Sequence, residues 1–261
     1  MDACEPSGIW RVRRPVRQFT QLYTFIRQPV PAGGRYNWDE DDQLQSCIAL
    51  SRLVHPTSIS LEYSARVFHD WEGKIVEVCP GPVTGPASYA YTLPDCRDWL
   101  VDDDLGHLKR LMNGTPWTKL PARLQRALWY HEMAAASWRV DIWWTLTCTA
   151  LEALIHTDRL RTTKQFTSRI PLLAGEVGIM NFSEKDAEDA YEYRSRMAHG
   201  GTLADLRNMT PTHYDSIELP LYRKTQDILR EAIRKSILTP AFASIFLTDD
   251  SVRSHWPLPG S

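Results

Sequence analysis

The 261-residue chain lacks the loops that mark the commonest nucleotide-using enzymes: it has neither a G-x-x-x-x-G-K-[ST] segment nor a G-x-G-x-x-G turn. Phosphate cradling by a glycine-rich backbone is therefore not expected. Its five cysteines, Cys4, Cys47, Cys79, Cys96 and Cys148, are odd in number and never stand as C-x-x-C. That pattern argues against both a disulfide framework and a zinc ribbon, and points to a reducing compartment. His131-Glu132 opens like a zinc-protease H-E-x-x-H, but Ala135 stands where the second histidine belongs, so the pair reads as helix surface. Long apolar runs are missing too. The most hydrophobic helix, Ile142 to Ile155, is too short and too rich in threonine to span a bilayer, and the first residues carry no apolar stretch of signal-peptide length. No membrane association and a cytoplasmic location are the expectations. Charge of one sign is also lacking, with Lys+Arg 30 against Asp+Glu 32, so any attraction to nucleic acid must come from local patches.

What is present is a chain with 43% hydrophobic residues, enough for one large domain or two small ones. Residues 1–36 are rich in arginine and proline and show no clear element. Asn37 suits the cap of a helix from Trp38 to about Val54, acidic in its first turn and ended by His55-Pro56. Alternation from Ile59 to Val67, and a second run from Lys74 to Val78, predict a hairpin or a pair of short strands. The Pro/Gly-rich stretch Pro80 to Pro86 is the best domain boundary. Beyond it the periodicity predicts helices over Asp95–Met112, Pro121–Ser137, Arg139–His156, Thr163–Glu176, Ser183–His199 and Glu218–Leu238. In the last of these, Leu221, Thr225, Ile228, Leu229, Ala232 and Ile233 form one apolar stripe, as in a helix laid against a bundle. The expected fold is mainly α: a small α+β region over 1–90, a helical domain over 91–248, and a mobile tail over 249–261.

The run Tyr193-Arg194-Ser195-Arg196-Met197-Ala198-His199-Gly200-Gly201 carries most of the functional signal. Ser183 is the expected N-cap of its helix, with Asp186 in a capping-box relation, and the glycine pair is the expected stop. At about 100° per residue, Ala187, Ala190, Tyr191, Met197 and Ala198 share a face, and Arg194 sits near its middle, where a leucine is the ordinary choice. A guanidinium keeps its charge, so it needs a carboxylate partner or an anionic ligand. The helix from Arg139 to His156 supplies a polar line at helical spacing: Thr145, Thr149, Glu152 and His156. Glu152 is the candidate partner. It either orients Arg194 toward a phosphate, leaving donors free, or closes a purely structural ion pair.

The Arg194 to His199 spacing resembles the R-x4-H signature of the HEPN superfamily. Ala150-Leu151-Glu152-Ala153-Leu154, some forty residues upstream, is similar to the A-L-E-A-L core helix of its Apea-like branch. The resemblance covers roughly residues 95 to 240. It implies a helical domain, a homodimer with a composite site at its interface, RNA as partner, and RNA cleavage without metal or other cofactor. On a regular helix Arg194 and His199 diverge by about 140° and lie about 7.5 Å apart along the axis. Two copies of the helix around a two-fold axis bring such residues into one cleft. The resemblance makes Arg194 and His199 the catalytic pair, with Ser195 standing where relatives often carry asparagine, aspartate or histidine, and Glu152 in support. A setting in toxin action or phage defence is what the family implies.

Other candidates are weaker. Asp102, Asp103 and Asp104 read as a solvated helix face more readily than as a metal site. Trp129, Trp138, Trp143 and Trp144 are suited to core or dimer packing rather than base stacking. Two basic tracks offer RNA contacts: Arg11, Arg13, Arg14 and Arg17, and Lys119, Arg123 and Arg126. Two further readings remain open beside the nuclease: a catalytically silent dimerisation or RNA-binding module, and a helical protein in which the Arg194 pair is merely structural.

Overall fold

In the computed structural model the described residues are 11–16, 19–24, 47–56, 64–69, 72, 74–81, 100–137, 140–198 and 218–259. The chain divides into two compact units, Met1–Asp42 and Gln43–Ser261, so the boundary falls well before the Pro80 to Pro86 stretch. In the first unit, strands β1 (Arg11–Val16) and β2 (Phe19–Thr24) form an antiparallel hairpin, with Arg13 opposite Leu22. The sequence reading left this region without an element. Its prolines and arginines leave little apolar alternation to read.

The second unit opens with helix α1 over 47–54, the described part of the helix expected from Trp38. Strands β3 (Ser64–His69) and β4 (Ile75–Gly81) pair antiparallel with a register irregularity at Phe68/His69. β4 runs through Pro80 and Gly81, two residues read in the sequence as linker. The remainder is helical: α2 (Asp102–Met112), a 3-10 turn (Trp117–Lys119), α3 (Ala122–Ala135), α4 (Val140–Ile155), α5 (Thr162–Glu176), α6 (Glu184–Ala198), α7 (Glu218–Leu238), α8 (Pro240–Ala243), a second 3-10 turn (Ser244–Phe246) and α9 (Asp249–His255). None of the described helices is long and apolar enough to cross a membrane.

α4 is the central element and packs against α3, α5, α6 and α7. Trp143, Trp144, Cys148, Ala150, Leu151, Leu154 and Ile155 are all buried, which accounts for its apolar composition. The stripe on α7 is buried throughout, including Thr225, whose hydroxyl is satisfied by the Leu221 carbonyl at 2.8 Å. α5 ends in a Schellman turn: the Ile179 N–H reaches the Ala174 carbonyl at 2.9 Å, and the Gly178 N–H reaches that of Gly175 at 3.2 Å. Gly178 has φ 83°, a conformation that glycine adopts without steric cost.

The turn delivers the chain to α6 through a closed capping box. The Asp186 N–H donates to Ser183 Oγ at 3.1 Å, and the Ser183 N–H donates to Asp186 Oδ2 at 2.7 Å. Replacing Ser183 by alanine is expected to lower stability by about 1 kcal/mol, measured as a shift in denaturant midpoint at unchanged slope.

The tail expectation is overturned. α9 is capped by Thr248, whose hydroxyl accepts from the Ser251 N–H at 3.0 Å, and it seats Val252 and Trp256 in the core at 0% and 2% exposure. Val252 and Trp256 are four residues apart, one helical turn, but so short an apolar pair within a polar segment gives little periodic signal.

Candidate functional site

The polar line on α4 lies along its half-buried side. Thr145 and Thr149 spend their hydroxyls on carbonyls one turn earlier, those of Asp141 at 2.9 Å and Thr145 at 2.7 Å. The next two positions look outward to other elements. Glu152 meets α6, where Arg194 Nη2 donates to Glu152 Oε2 at 2.9 Å. The pair is neither sealed nor free, with side chains 25% and 12% exposed respectively. The guanidinium also lies 5.7 Å from the centre of the Tyr191 ring. Its Nε is buried and has no hydrogen-bond partner among the described residues.

Burial pushes the Glu152 carboxyl above its ordinary range, and the opposing pull of Arg194 and a hydrogen bond from Tyr191 does not offset it fully. The net direction means that the pocket around this carboxylate falls short of full compensation for its negative charge. α6 is held against α4 by Trp144, whose indole N–H donates to the Ala190 carbonyl at 2.8 Å and whose ring meets Tyr193 edge-on. Buried Ala187 and Ala190 allow the close approach. The predicted face of α6 is therefore present, except that Ala198 is exposed.

His156 follows α4 directly, and its N–H closes on the Glu152 carbonyl at 2.9 Å, which keeps the two side chains one turn apart on one face. Its Nε2 lies 3.2 Å from the Thr162 carbonyl oxygen. A carbonyl only accepts, so Nε2 carries the proton in the neutral ring. Burial, and then the positive charges of Arg169, Arg194 and Arg123, push the imidazole from the ordinary 6.5 down to about 4, against the favourable Thr162 bond.

Because the folded state disfavours the charged ring, this group's contribution to stability is complete above about pH 6.5 and is lost as the pH falls toward 4. A His156→Gln variant keeps a donor for Thr162 but does not titrate. Across that window the parent is expected to lose roughly 2–3 kcal/mol more than the variant, read from urea unfolding at each pH.

The turn carrying Thr162 is fixed by Gln165, fully buried, whose Oε1 accepts from the Thr157 N–H at 2.8 Å and whose Nε2 donates to the carbonyls of Asp158 at 2.8 Å and Leu160 at 2.9 Å. Thr162 Oγ1 in turn accepts from the Tyr191 hydroxyl at 3.1 Å. One loop therefore braces both His156 and the tyrosine beside Arg194. His156, Tyr191 and Thr162 were not assigned to the site from sequence. His156 already stood in the polar line, whereas Thr162 contributes a backbone atom, which no side-chain pattern reveals.

Ser195 is half-buried on α6, next in sequence to Arg194. His199 lies outside the described residues, and so do Trp138 and Arg17. Of the second basic track, Lys119 and Arg126 are exposed. Arg123 is engaged elsewhere: its Nη1 donates to the carbonyls of Ala153 at 3.0 Å and Leu154 at 3.3 Å, and its Nη2 pairs with Asp249. It is joined at the end of α4 by Arg169, whose Nη1 donates to the Ile155 carbonyl at 2.6 Å, and by Arg253, whose Nη2 donates to that of Thr157 at 2.6 Å. Arg123 of α3 and Arg169 of α5 thus satisfy orphan carbonyls of the α4 terminus, and Arg253 of α9 holds the turn that follows it.

The His131-Glu132 pair is not helix surface. His131 is 4% exposed, and Glu132 forms an ion pair with Arg52 of α1, itself 3% exposed. Burial raises the Glu132 carboxyl, but the His131 hydrogen bond and Arg52 outweigh it and hold the group below its ordinary range. Trp143 and Trp144 are core residues, whereas Trp129 is 58% exposed. Asp102, Asp103 and Asp104 fall in the first turn of α2, where Asp104 Oδ2 accepts from the Val101 N–H at 2.9 Å. Among the described residues no three His, Cys, Asp or Glu side chains are grouped so as to hold a metal ion. Cys47 and Cys148 are free thiols.

Comparison with protein-family models, with curated proteins and with solved structures finds no match to this chain.

Proposed function

We propose that the chain is a metal-independent endoribonuclease of HEPN type, with an Apea-like helical domain following a small α+β N-terminal region. Its working form in this reading is a homodimer, and its partner is RNA. The observation that carries the reading is the state of Arg194. A half-buried guanidinium that gives Nη2 to Glu152 and keeps a quarter of its side chain exposed retains Nη donors for a phosphate. Glu152 acts as a positioning residue that fixes the fork.

Arg194 would then stabilise the negative charge that builds on the phosphorane-like transition state. A ribose 2′-hydroxyl attacks the adjacent phosphorus, its proton leaves to a histidine, and the 5′-oxygen departs with a proton from a general acid. His199 is the histidine assigned to this transfer by the R-x4-H pattern, and Ser195 is assigned to orienting the phosphate. Exposed Lys119 and Arg126 are assigned to RNA backbone contact, and Arg123, committed to α4, is withdrawn from it.

The test is incubation of the full chain with structured RNA in excess EDTA. Fragments ending in 2′,3′-cyclic phosphates are the expected result. Intact RNA, with no cutting at any pH from 5 to 9, removes the proposal. RNA bound but left whole would instead favour the silent module.

A further inference from the structure

We infer that His156 is a ligand-facing member of the Arg194 site, and that it takes up a proton when a tetrahedral oxyanion docks against the Arg194 guanidinium. This rests on the reading that Arg194 receives a phosphate, and it adds a second histidine from α4 to a site that the R-x4-H pattern draws from α6 alone.

The geometry supplies the argument. His156 and Glu152 occupy one face of α4, one turn apart, and Arg194 from α6 reaches Glu152. The bond from Nε2–H to the Thr162 carbonyl fixes both the ring orientation and its tautomer. The lone pair is consequently on Nδ1, which has no hydrogen-bond partner among the described residues. A half-buried imidazole whose one donor is spent on the backbone, and whose acceptor nitrogen is unspent, is suited to receiving a proton.

Its electrostatic surroundings explain why that proton is absent at rest. Burial is the largest cause, and the charges of Arg169 of α5, Arg194 of α6 and Arg123 of α3 add to it, so the imidazole is pushed down to about 4. Glu152, on the same helix, is already neutralised in part by Arg194. A dianion placed on Arg194 cancels one of the positive charges that oppose the ring. By linkage, whatever the anion does to the proton affinity of His156, the proton does equally to the anion affinity. For a cleaving enzyme, the protonated ring so formed is a proton donor in place beside the phosphate, complementary to an acceptor elsewhere in the site.

The experiment uses sulfate, a tetrahedral dianion that does not itself titrate between pH 5 and 7, at constant ionic strength. Affinity is followed by titration at both pH values, the His156 imidazole by its Cε1–H resonance, and proton uptake by calorimetry in buffers of different ionisation heat. Sulfate is expected to bind about three- to tenfold more tightly at pH 5 than at pH 7, with the His156 resonance moving to its protonated position. In His156→Gln the pH dependence and the uptake both fall to whatever His199 contributes, and combining it with His199→Gln abolishes both. In His199→Gln both persist.

Arg194-dependent sulfate binding without uptake at His156 overturns the inference and leaves the phosphate reading intact. So does uptake that survives His156→Gln and disappears in Glu152→Gln, because it assigns the proton to the carboxylate. Sulfate binding that is undetectable, or unchanged in Arg194→Ala, removes the phosphate reading itself and the inference with it. A second arm replaces sulfate by an RNA oligonucleotide with 2′-deoxy substitutions throughout. The same His156 shift with this uncleavable strand identifies a polymer phosphate as the ligand, and a shift with sulfate alone restricts the site to free oxyanions, which overturns the inference as a nuclease feature.

Discussion

Arg194→Ala is expected to reduce RNA cleavage by at least two to three orders of magnitude, because it removes the only cation assigned to the transition-state phosphorane, a term of about 3–4 kcal/mol in comparable electrostatic sites. The same change leaves Glu152 as a largely buried carboxylate that keeps its hydrogen bond from Tyr191 but loses its cation, at a cost of about 1–3 kcal/mol in stability. The two consequences separate in one set of measurements. Activity per folded molecule, with folding checked by circular dichroism and thermal denaturation, isolates the chemical loss. Arg194→Lys keeps the charge but not the planar fork, so it is expected to recover part of the stability and little of the rate. Full RNA cleavage by a folded Arg194→Ala protein would leave the closed structural pair as the remaining account of these two residues.

The largest expected effect on stability is at Trp256. Truncation to alanine is expected to cost about 3–5 kcal/mol, and to lower the melting temperature by roughly 10 °C or more. The indole is 2% exposed and packs on Phe246, and its N–H donates to Glu176 Oε1 at 2.9 Å. The Trp256 carbonyl is the acceptor of buried Arg169 Nε at 2.9 Å, so a shift of the backbone here disturbs a cation that pairs with no carboxylate among the described residues. Trp256→Phe preserves most of the volume and loses only the polar contact, and about a third of the alanine effect is expected. An alanine variant as stable as the parent would mean that residues 249–259 fold back on the bundle without supporting it.

The contrast between what the chain announces and what it conceals follows the range of the interactions. The α7 stripe, the Ser183–Asp186 box and the extent of α4 depend on residues within a few turns of one another, and local periodicity carries them. The Glu152–Arg194 contact was also readable, because a charged residue on an otherwise apolar face demands a partner and α4 offered one carboxylate on its polar line. Arg123, by contrast, looked like any exposed base on α3. Its partners are 30 and 126 residues away, and nothing in a linear pattern distinguishes an arginine that caps a remote helix from one facing solvent. The Arg52–Glu132 pair, 80 residues apart, is hidden for the same reason. So is α9, whose two apolar anchors have meaning only against Phe246 and Arg169.

The three arginines gathered at the end of α4 also impose an order on biosynthesis. Positions 123 and 169 are made before the ribosome reaches residue 253, so the arginine that holds the turn after the middle helix arrives later than the two that hold its end. Long-range closure of this kind slows folding and prolongs the lifetime of partly assembled chains. A nascent protein stalled or clipped before α9 would hold the end of its central helix by Arg123 and Arg169, with the Thr157 carbonyl left without Arg253.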